Sequence, residues 1–416
     1  MRIALVSTYQ KSGCPPIGLV YLASYVNRNS SHRAEVIDSN YTDIFKADYS
    51  GYDLIGISAM TPTYAKAGRL ALEIRHIWRN KPLVIGGVHI STDKNSQASN
   101  VFDSMVIGEG EKSLLNLLND YEKNGYCEDI YEDVFMSNLD ELALPDWGLI
   151  DKRYFTRQFN TTFAEWGIEG WLLTGRGCPY RCRFCSTTKF WEKVRFHSDE
   201  YVIKLLENLQ EKRVTHIQVW DDLFTIDKNR LKRLMPYFSK TGIKFNCQPR
   251  INTIDEETCR ILKEGNISLC IFGFESGNSR VLQYLKNDKS LTIEKSKQAI
   301  RLCRKSGLDV QGSLIFGSPS ETLPEMLNTL KFMLWCLFNG VQRLWAFIAT
   351  PFPATEFWQY LPSNFTYKQL SHYPTKPLLL DKSVKLWKFK LIMFLAYRIE
   401  NLYQLKKLWK LIRSVF

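Results

Sequence analysis

The 416-residue sequence predicts an α/β chain made of two successive series of alternating strands and helices. Three observations predict it. Short runs rich in Ile, Leu and Val alternate with amphipathic stretches of helical length; small and turn-forming residues follow those runs; and an irregular stretch interrupts the alternation once. The expected organisation is a Rossmann-like (flavodoxin-like) parallel-sheet domain over 1–135, a linker over 136–168, a partial β/α TIM-type barrel over 169–360, and a basic amphipathic helical C-terminal segment over 361–416.

In the first series, strands are expected at Arg2–Ser7, Ala34–Asp38, Leu54–Ser58, Leu83–Gly86 and Ser104–Ile107, with helices at Gly18–Asn27, Ala65–Arg79 and Glu111–Tyr121. Strands separated by helices of this length pair in parallel, and ligands then sit at the carboxyl ends of the strands. The loops there are Pro15-Pro16-Ile17-Gly18, Ser58-Ala59-Met60-Thr61, Gly86-Gly87-Val88-His89 and Gly108-Glu109-Gly110-Glu111. Their small residues would let a large ligand approach the backbone closely.

The second series has strands at Gly170–Thr174, His216–Trp220, Lys244–Cys247, Ser268–Phe274, Asp309–Ile315 and Gln342–Ile348. Helices at Asp199–Glu211, Lys228–Thr241, Asp255–Glu264, Thr292–Ser306 and Leu323–Phe338 separate them. Six such units fit a partial barrel, whose chemistry gathers at the strand C-termini.

Hydrophobic residues make up 45% and charged residues 24%, as in globular proteins with a real core. Met1–Ser7 reads as a first strand rather than a signal peptide, and no window has the uninterrupted apolar length of a membrane span, so a cytoplasmic address is expected. Ten cysteines there suggest thiols or metal ligands rather than disulfides. The net charge is +12, but from Lys382 onward nine lysines and arginines face Glu400 alone. The basic character thus belongs mainly to a tail, and no nucleic-acid partner is expected.

Directly after the first strand of the second series stands Gly175-Arg176-Gly177-Cys178-Pro179-Tyr180-Arg181-Cys182-Arg183-Phe184-Cys185. Cys178, Cys182 and Cys185 can converge on one metal centre, and thiolates are the soft ligands an iron–sulfur cluster needs. Three ligands for four irons leave one iron open to a small molecule. The bland alternatives are a zinc site or three unrelated buried cysteines. Zinc usually takes four ligands in two pairs, and no second pair lies nearby.

On these residues the sequence resembles the radical S-adenosylmethionine (SAM) superfamily, over about Gly170–Thr355. The resemblance implies a [4Fe–4S] cluster on the three cysteines, with Tyr180 and Phe184 between them. It implies SAM contacts at Asp221 and Asp222 for the methionyl amine, although Trp220-Asp221-Asp222 departs from the Gly-Gly-Glu pattern. Arg250 would lie near the SAM carboxylate, Glu275 and Ser276 at the ribose and methionyl group, and Gly317 beside the adenine. Pro351-Phe352-Pro353-Ala354-Thr355 resembles a late loop of that family. Cys14, Cys127, Cys247, Cys259, Cys270, Cys303 and Cys336 are scattered in sequence, without a second cluster motif, and most of them read as buried thiols.

The first domain resembles the cobalamin-binding domain that precedes the barrel in one branch of the superfamily. The matching residues are Pro16, Gly18, Ser58, Thr61, Gly86, Gly87, His89, Gly108, Glu109 and Gly110. No DxHxxG stretch is present, so base-off cobalamin without a histidine ligand is implied; His32 reads as a surface residue. A fold that has kept its shape without its cofactor is the bland alternative.

In the tail, Leu402, Leu405, Leu408, Trp409, Ile412 and Phe416 have helical spacing, with Lys406, Lys407, Lys410 and Arg413 between them. Peripheral contact with an anionic membrane, guidance of a lipid-like substrate, and a cap over the barrel's mouth all fit this pattern.

The resemblance implies reductive cleavage of SAM to a 5′-deoxyadenosyl radical, and methyl transfer from cobalamin to an unactivated carbon of a small-molecule or lipid-like substrate in natural-product, lipid or cofactor biosynthesis. An electron donor such as flavodoxin or ferredoxin is implied. The alternatives are a radical enzyme of the same architecture that cyclises, rearranges, oxidises or dehydrates, with or without cobalamin, and a non-catalytic metal-bound scaffold.

Overall fold

The computed structural model describes residues 1–9, 14–93, 101–132, 135–160, 162–163, 165–191, 193–361, 365–370 and 377–415; for 188, 368 and 404–415 it describes the backbone alone. The chain divides into two compact units. The first contains Met1–Thr156 and residues 365–370; the second contains Arg157–Leu361 and the chain from 377 onward.

The first unit is a six-stranded sheet. Its elements are β1 (Arg2–Ser7), α1 (Ile17–Asn29), β2 (Arg33–Asp38), β3 (Leu54–Ser58), α2 (Tyr64–Ile77), β4 (Leu83–Gly86), α3 (Val88–Thr92), β5 (Ser104–Ile107), α4 (Glu111–Asn124) and β6 (Ile130–Glu132). The order is β2-β1-β3-β4-β5-β6, and every pair is parallel. β1 shows why. Ile3 and Leu5 face a core with Leu19, Val26, Leu114 and Leu117, while Ala4 and Val6 face another with Leu70, Ile74 and Ile85. A strand buried on both faces reads as a continuous apolar run, and helices cover each face.

Residues 139–155 of the first unit form three short 3-10 turns, capped by the Asn138, Asp146 and Asp151 side chains. His32 corrects the sequence reading: it is 1% exposed, not a surface residue. Its ring is held between the Met1 amino group at 3.4 Å and Asn119 Oδ1 at 3.3 Å, because α4 folds back over the start of β2.

The second unit opens with an antiparallel hairpin, β7 (Gln158–Asn160) and β8 (Glu165–Gly167), followed by β9 (Glu169–Leu172) and β10 (Gly175–Arg176). α5 (Thr187–Phe190) and β11 (Arg195–Phe196) come next, and β11 pairs with β10. The chain continues through α6 (Asp199–Gln210), β12 (His216–Val219), α7 (Lys228–Lys240), β13 (Lys244–Cys247), α8 (Glu256–Glu264), β14 (Ile267–Glu275), α9 (Ser279–Lys286) and α10 (Ile293–Lys305). It ends with β15 (Asp309–Phe316), α11 (Leu323–Phe338), β16 (Arg343–Ile348) and α12 (Leu386–Val415). The parallel sheet runs β9-β12-β13-β14-β15-β16, with β9 and β16 at its open edges.

Local chemistry starts these helices. Ser198, Asp227, Asp255, Asn278 and Thr292 each accept from a first-turn N–H. On β14, Phe272 and Phe274 turn outward, and Phe274 meets Phe332 of α11 edge-on at 5.7 Å. The buried face of α12 packs on α11 and β16, along the open edge of the sheet. The tail side chains expected at Leu405, Leu408, Trp409, Ile412 and Phe416 lie outside the described residues.

Candidate active site

The three cysteines lie on one loop between β10 and α5, each half-buried. Gly177 begins the turn with φ +98°, and a Cβ there would stand 2.5 Å from the Lys193 carbonyl oxygen, so only glycine fits. Gly177 N donates to Asp222 Oδ2 at 2.8 Å, and Cys185 N donates to Cys182 O at 3.1 Å. Arg183 anchors the middle: its N donates to Leu285 O at 2.9 Å, and its guanidinium pairs with Glu356.

Arg250, at the end of β13 and 7% exposed, reaches this loop. Its Nη1 lies 3.3 Å from Cys182 Sγ, its Nη2 lies 3.2 Å from Asp288 Oδ2, and its guanidinium stacks 3.8 Å from the centre of the Tyr180 ring. Lys286 places its ammonium 5.6 Å from the centre of the Phe184 ring and donates to Glu275 Oε1 at 2.8 Å. Both partners of that pair are buried. Glu275 has φ +60°, rare for a residue with a Cβ, and the ladder shifts register between Gly273 and Glu275.

Asp221 and Asp222 are turned toward the loop backbone. Asp221 accepts from Thr174 N at 2.6 Å and from the Thr174 hydroxyl; burial pushes its carboxyl up to about 6, against the opposing pull of Arg230. That bond to Thr174 also ends β9 at Leu172, short of the expected Thr174, and β12 stops at Val219, short of Trp220. Ser276 is fully buried, its hydroxyl 3.2 Å from Thr329 Oγ1 on α11. Gly317, with φ +75°, donates to Glu321 Oε2 at 2.7 Å, and burial lifts the Glu321 carboxyl to about 7.

Burial raises the Cys178 and Cys185 thiols above the ordinary thiol range. Among the described residues no group of three or more His, Cys, Asp or Glu side chains is closed enough for a single metal ion. A four-iron cluster is larger than one ion and spaces its thiolates more widely. Three half-buried thiols on a loop fixed from several sides, one short of the four ligands of a structural zinc, fit the cluster better than zinc.

Sequence order concealed one grouping. Cys247, Cys259, Cys270 and Cys303 are all fully buried, and Cys259 Sγ lies 3.9 Å from Cys303 Sγ. Cys270 interacts with both Cys247 and Cys303. The Cys259, Cys270 and Cys303 thiols are pushed far above their ordinary range, as packed neutral thiols are.

In the first unit, the residues expected to hold cobalamin stand at the carboxyl edges of neighbouring strands β3, β4 and β5 and at the start of α1. Gly87, with φ +98°, would bring a Cβ within 2.7 Å of the Ala59 carbonyl oxygen. Around Gly18 a Cβ would meet nothing within 4 Å, and at Gly108 its nearest neighbour would be Phe135 at 3.9 Å. The loops leave space there, as a large ligand needs. Pro16 forms the N-cap of α1, and Gly110, with φ +91°, that of α4. Glu109 Oε2 accepts from Met136 N at 2.8 Å.

His89 is fully buried. Its Nδ1 lies 3.1 Å from Thr61 Oγ1, while its Nε2 has no hydrogen-bond partner among the described residues. Rings of Tyr64 and Tyr367 pack on it at 4.1 and 5.0 Å, and burial lowers its pKa to about 4, so it is neutral. An orphaned buried nitrogen beside open loop backbone fits a polar ligand group. A separate cavity lined by Asp53, Trp78, Lys81 and Tyr121 lies at the opposite, amino edge of the sheet.

A parallel-sheet unit with open strand-end loops, and a partial barrel with three loop cysteines, define an α/β enzyme with two cofactor sites. Residues 4–118 match the B12 binding domain and residues 172–333 match the radical SAM superfamily. An uncharacterized methyltransferase of Pyrococcus horikoshii is 30% identical over 376 residues, covering 84% of this chain and 79% of the relative. Bacteriochlorophyllide d C-8(2)-methyltransferase of Chlorobaculum tepidum is 26% identical, covering 78% of this chain and 71% of the relative. The radical SAM methyltransferase TsrM of Kitasatospora setae, solved with cobalamin and a [4Fe–4S] cluster, superposes with a TM-score of 0.67 at 16% identity. That superposition covers 86% of this chain and 73% of TsrM, and shares the fold. The chain belongs to the radical SAM superfamily, in the branch that carries an N-terminal B12 binding domain.

Proposed function

We propose that this protein is a cobalamin-dependent radical SAM methyltransferase acting on an unactivated carbon of a small or lipid-like molecule. The observation that carries it is the single loop with Cys178, Cys182 and Cys185, fixed by Asp222, Leu285 and Glu356 and touched by Arg250, in a chain that also has the open strand-end loops of a B12 binding domain.

When bound, the cluster and SAM would supply a 5′-deoxyadenosyl radical, and the corrinoid a transferable methyl group. The chain's own residues bind and orient. Cys178, Cys182 and Cys185 supply three thiolates, with Tyr180 and Phe184 between them. Asp221 and Asp222 hold the loop through Thr174 and Gly177, leaving Glu275, Ser276, Arg250 and Gly317 as the residues about SAM. The Lys286 ammonium fixes the Glu275 carboxylate in its left-handed turn. In the first unit, Gly18, Ser58, Thr61, Gly86, Gly87, His89, Gly108 and Gly110 line the corrinoid, and neutral His89 offers Nε2 to a polar group of it.

An electron donor of the flavodoxin or ferredoxin class and peripheral membrane contact through the C-terminal segment complete this reading. The test is incubation of protein reconstituted with iron, sulfide and hydroxocobalamin under reducing conditions with SAM carrying a deuterated methyl group. The label should appear on the bound corrinoid. SAM cleavage with a corrinoid that stays unlabelled would instead favour a cyclase or rearranging enzyme of the same architecture.

A further inference from the structure

α12 is apolar on two opposite sides. One side presents Phe389, Ile392, Met393, Ala396, Ile399 and Tyr403, all under a tenth exposed, and the Tyr403 hydroxyl donates to Met333 O of α11 at 2.6 Å. Burial against α11 and β16 accounts for that side. The other side holds Trp387 at 62% exposure, Leu391 at 50%, Phe394 at 52% and Leu402 at 45%. At 3.6 residues per turn these four fall within one sector of about 80°.

Such a row is unusual on a protein surface and marks a contact. The charge around it selects the partner. Lys388 lies 5.6 Å from the Trp387 ring centre, and Arg398, which shares the row's sector between Phe394 and Leu402, lies 5.0 Å from that of Phe394, so cations stand beside and within the row. From Lys382 onward Glu400 is the only acid against nine bases, and Glu400 lies half-buried near Arg343 of β16. Aromatic and aliphatic side chains in a row, with Lys388 beside it and Arg398 within it able to extend its charged head outward, suit a surface that is negative outside and apolar just beneath. No described helix is long and apolar enough to cross a membrane.

We propose that the Trp387–Leu391–Phe394–Leu402 face of α12 lies in the headgroup region of an anionic lipid bilayer, an inference that rests on the membrane contact proposed above and assigns it to these side chains. The helix lies along the surface, with its opposite face still packed on the barrel. Lysine and arginine heads reach outward to lipid phosphates while the apolar row enters the acyl boundary.

The experiment is flotation of the full-length reconstituted protein with phosphatidylcholine vesicles, with and without phosphatidylglycerol, beside the triple variant Trp387→Glu, Leu391→Glu, Phe394→Glu. Leu72→Glu, at an exposed leucine of the first unit, is the control. The native protein and the control should float with the anionic vesicles, and the triple variant should float at least about tenfold less while keeping its cluster content. Equal flotation of the triple variant would overturn the assignment to this face and leave membrane contact by other residues standing. No flotation of the native protein would overturn both. A native dimer in lipid-free solution that the triple variant renders monomeric, without lipid binding by either, would make the face a contact between copies and overturn the proposal.

Discussion

Arg250 bridges Cys182 and Asp288, with Nη1 at 3.3 Å from the sulfur and Nη2 at 3.2 Å from the carboxylate. With Cys182 as a ligand of the proposed cluster, a cation fixed on its sulfur would stabilise the more negative, reduced state. Arg250→Gln should lower the cluster's reduction potential. Loss of about 1.4 kcal/mol of preference for the reduced state, the size of one hydrogen bond, corresponds to ~59 mV for one electron. A redox titration followed by electron paramagnetic resonance measures it, and an unchanged potential would remove Arg250 from the cluster's surroundings.

Gly177 is the tightest point of the loop, with a left-handed φ and no room for a Cβ. Gly177→Ala should cost about 1–3 kcal/mol locally and be relieved by shifting the loop. Iron bound after reconstitution should fall well below the native content while the far-ultraviolet circular dichroism stays native. Full iron loading would show that the loop tolerates the side chain.

Glu321 accepts from Gly317 N and Ser318 N behind the same barrel edge. Glu321→Ala leaves two buried donors without their acceptor and should destabilise the protein by about 1–3 kcal/mol, whereas Glu321→Gln keeps a carbonyl there and should lose less. Because burial raises the folded-state pKa to about 7 from 4.5, the native contribution is complete below about 4.5 and fades as the pH rises through 7. The second unit's denaturant midpoint should fall across that window in the native protein and flatten in Glu321→Gln.

His89 has the opposite slope. Its pKa falls from 6.5 to about 4 on folding, so between those values the unfolded chain binds more protons and stability rises with pH. Acidification from 6.5 to 4 should cost the first unit up to about 3 kcal/mol, and His89→Gln should remove most of that dependence. Equal pH profiles for the two proteins would contradict a neutral, buried His89.

Strand positions were legible because parallel strands buried on both faces leave continuous apolar runs; β1, β3 and β4 fall where the sequence predicts them. α9 was missed although Asn278 caps it and Val281, Leu282 and Leu285 give it a helical face, because eight residues make a short signal. β6 and α3 are shorter still. The cysteine spacing was readable because all three cysteines belong to one loop. What sequence could not convey was partnership across the fold: that Asp221 and Asp222 turn to the loop's own backbone, that Lys286 pairs with Glu275, that four distant cysteines pack side by side, and that His32 is enclosed by α4. Each depends on which helix returns over which strand.

The most direct test is anaerobic incubation of the reconstituted protein with SAM, dithionite and hydroxocobalamin, quantifying 5′-deoxyadenosine and bound corrinoid together. The native protein should form 5′-deoxyadenosine and Cys182→Ala should form none, with about one corrinoid retained per chain in both proteins. Absence of 5′-deoxyadenosine from protein with an intact cluster would contradict the proposed function.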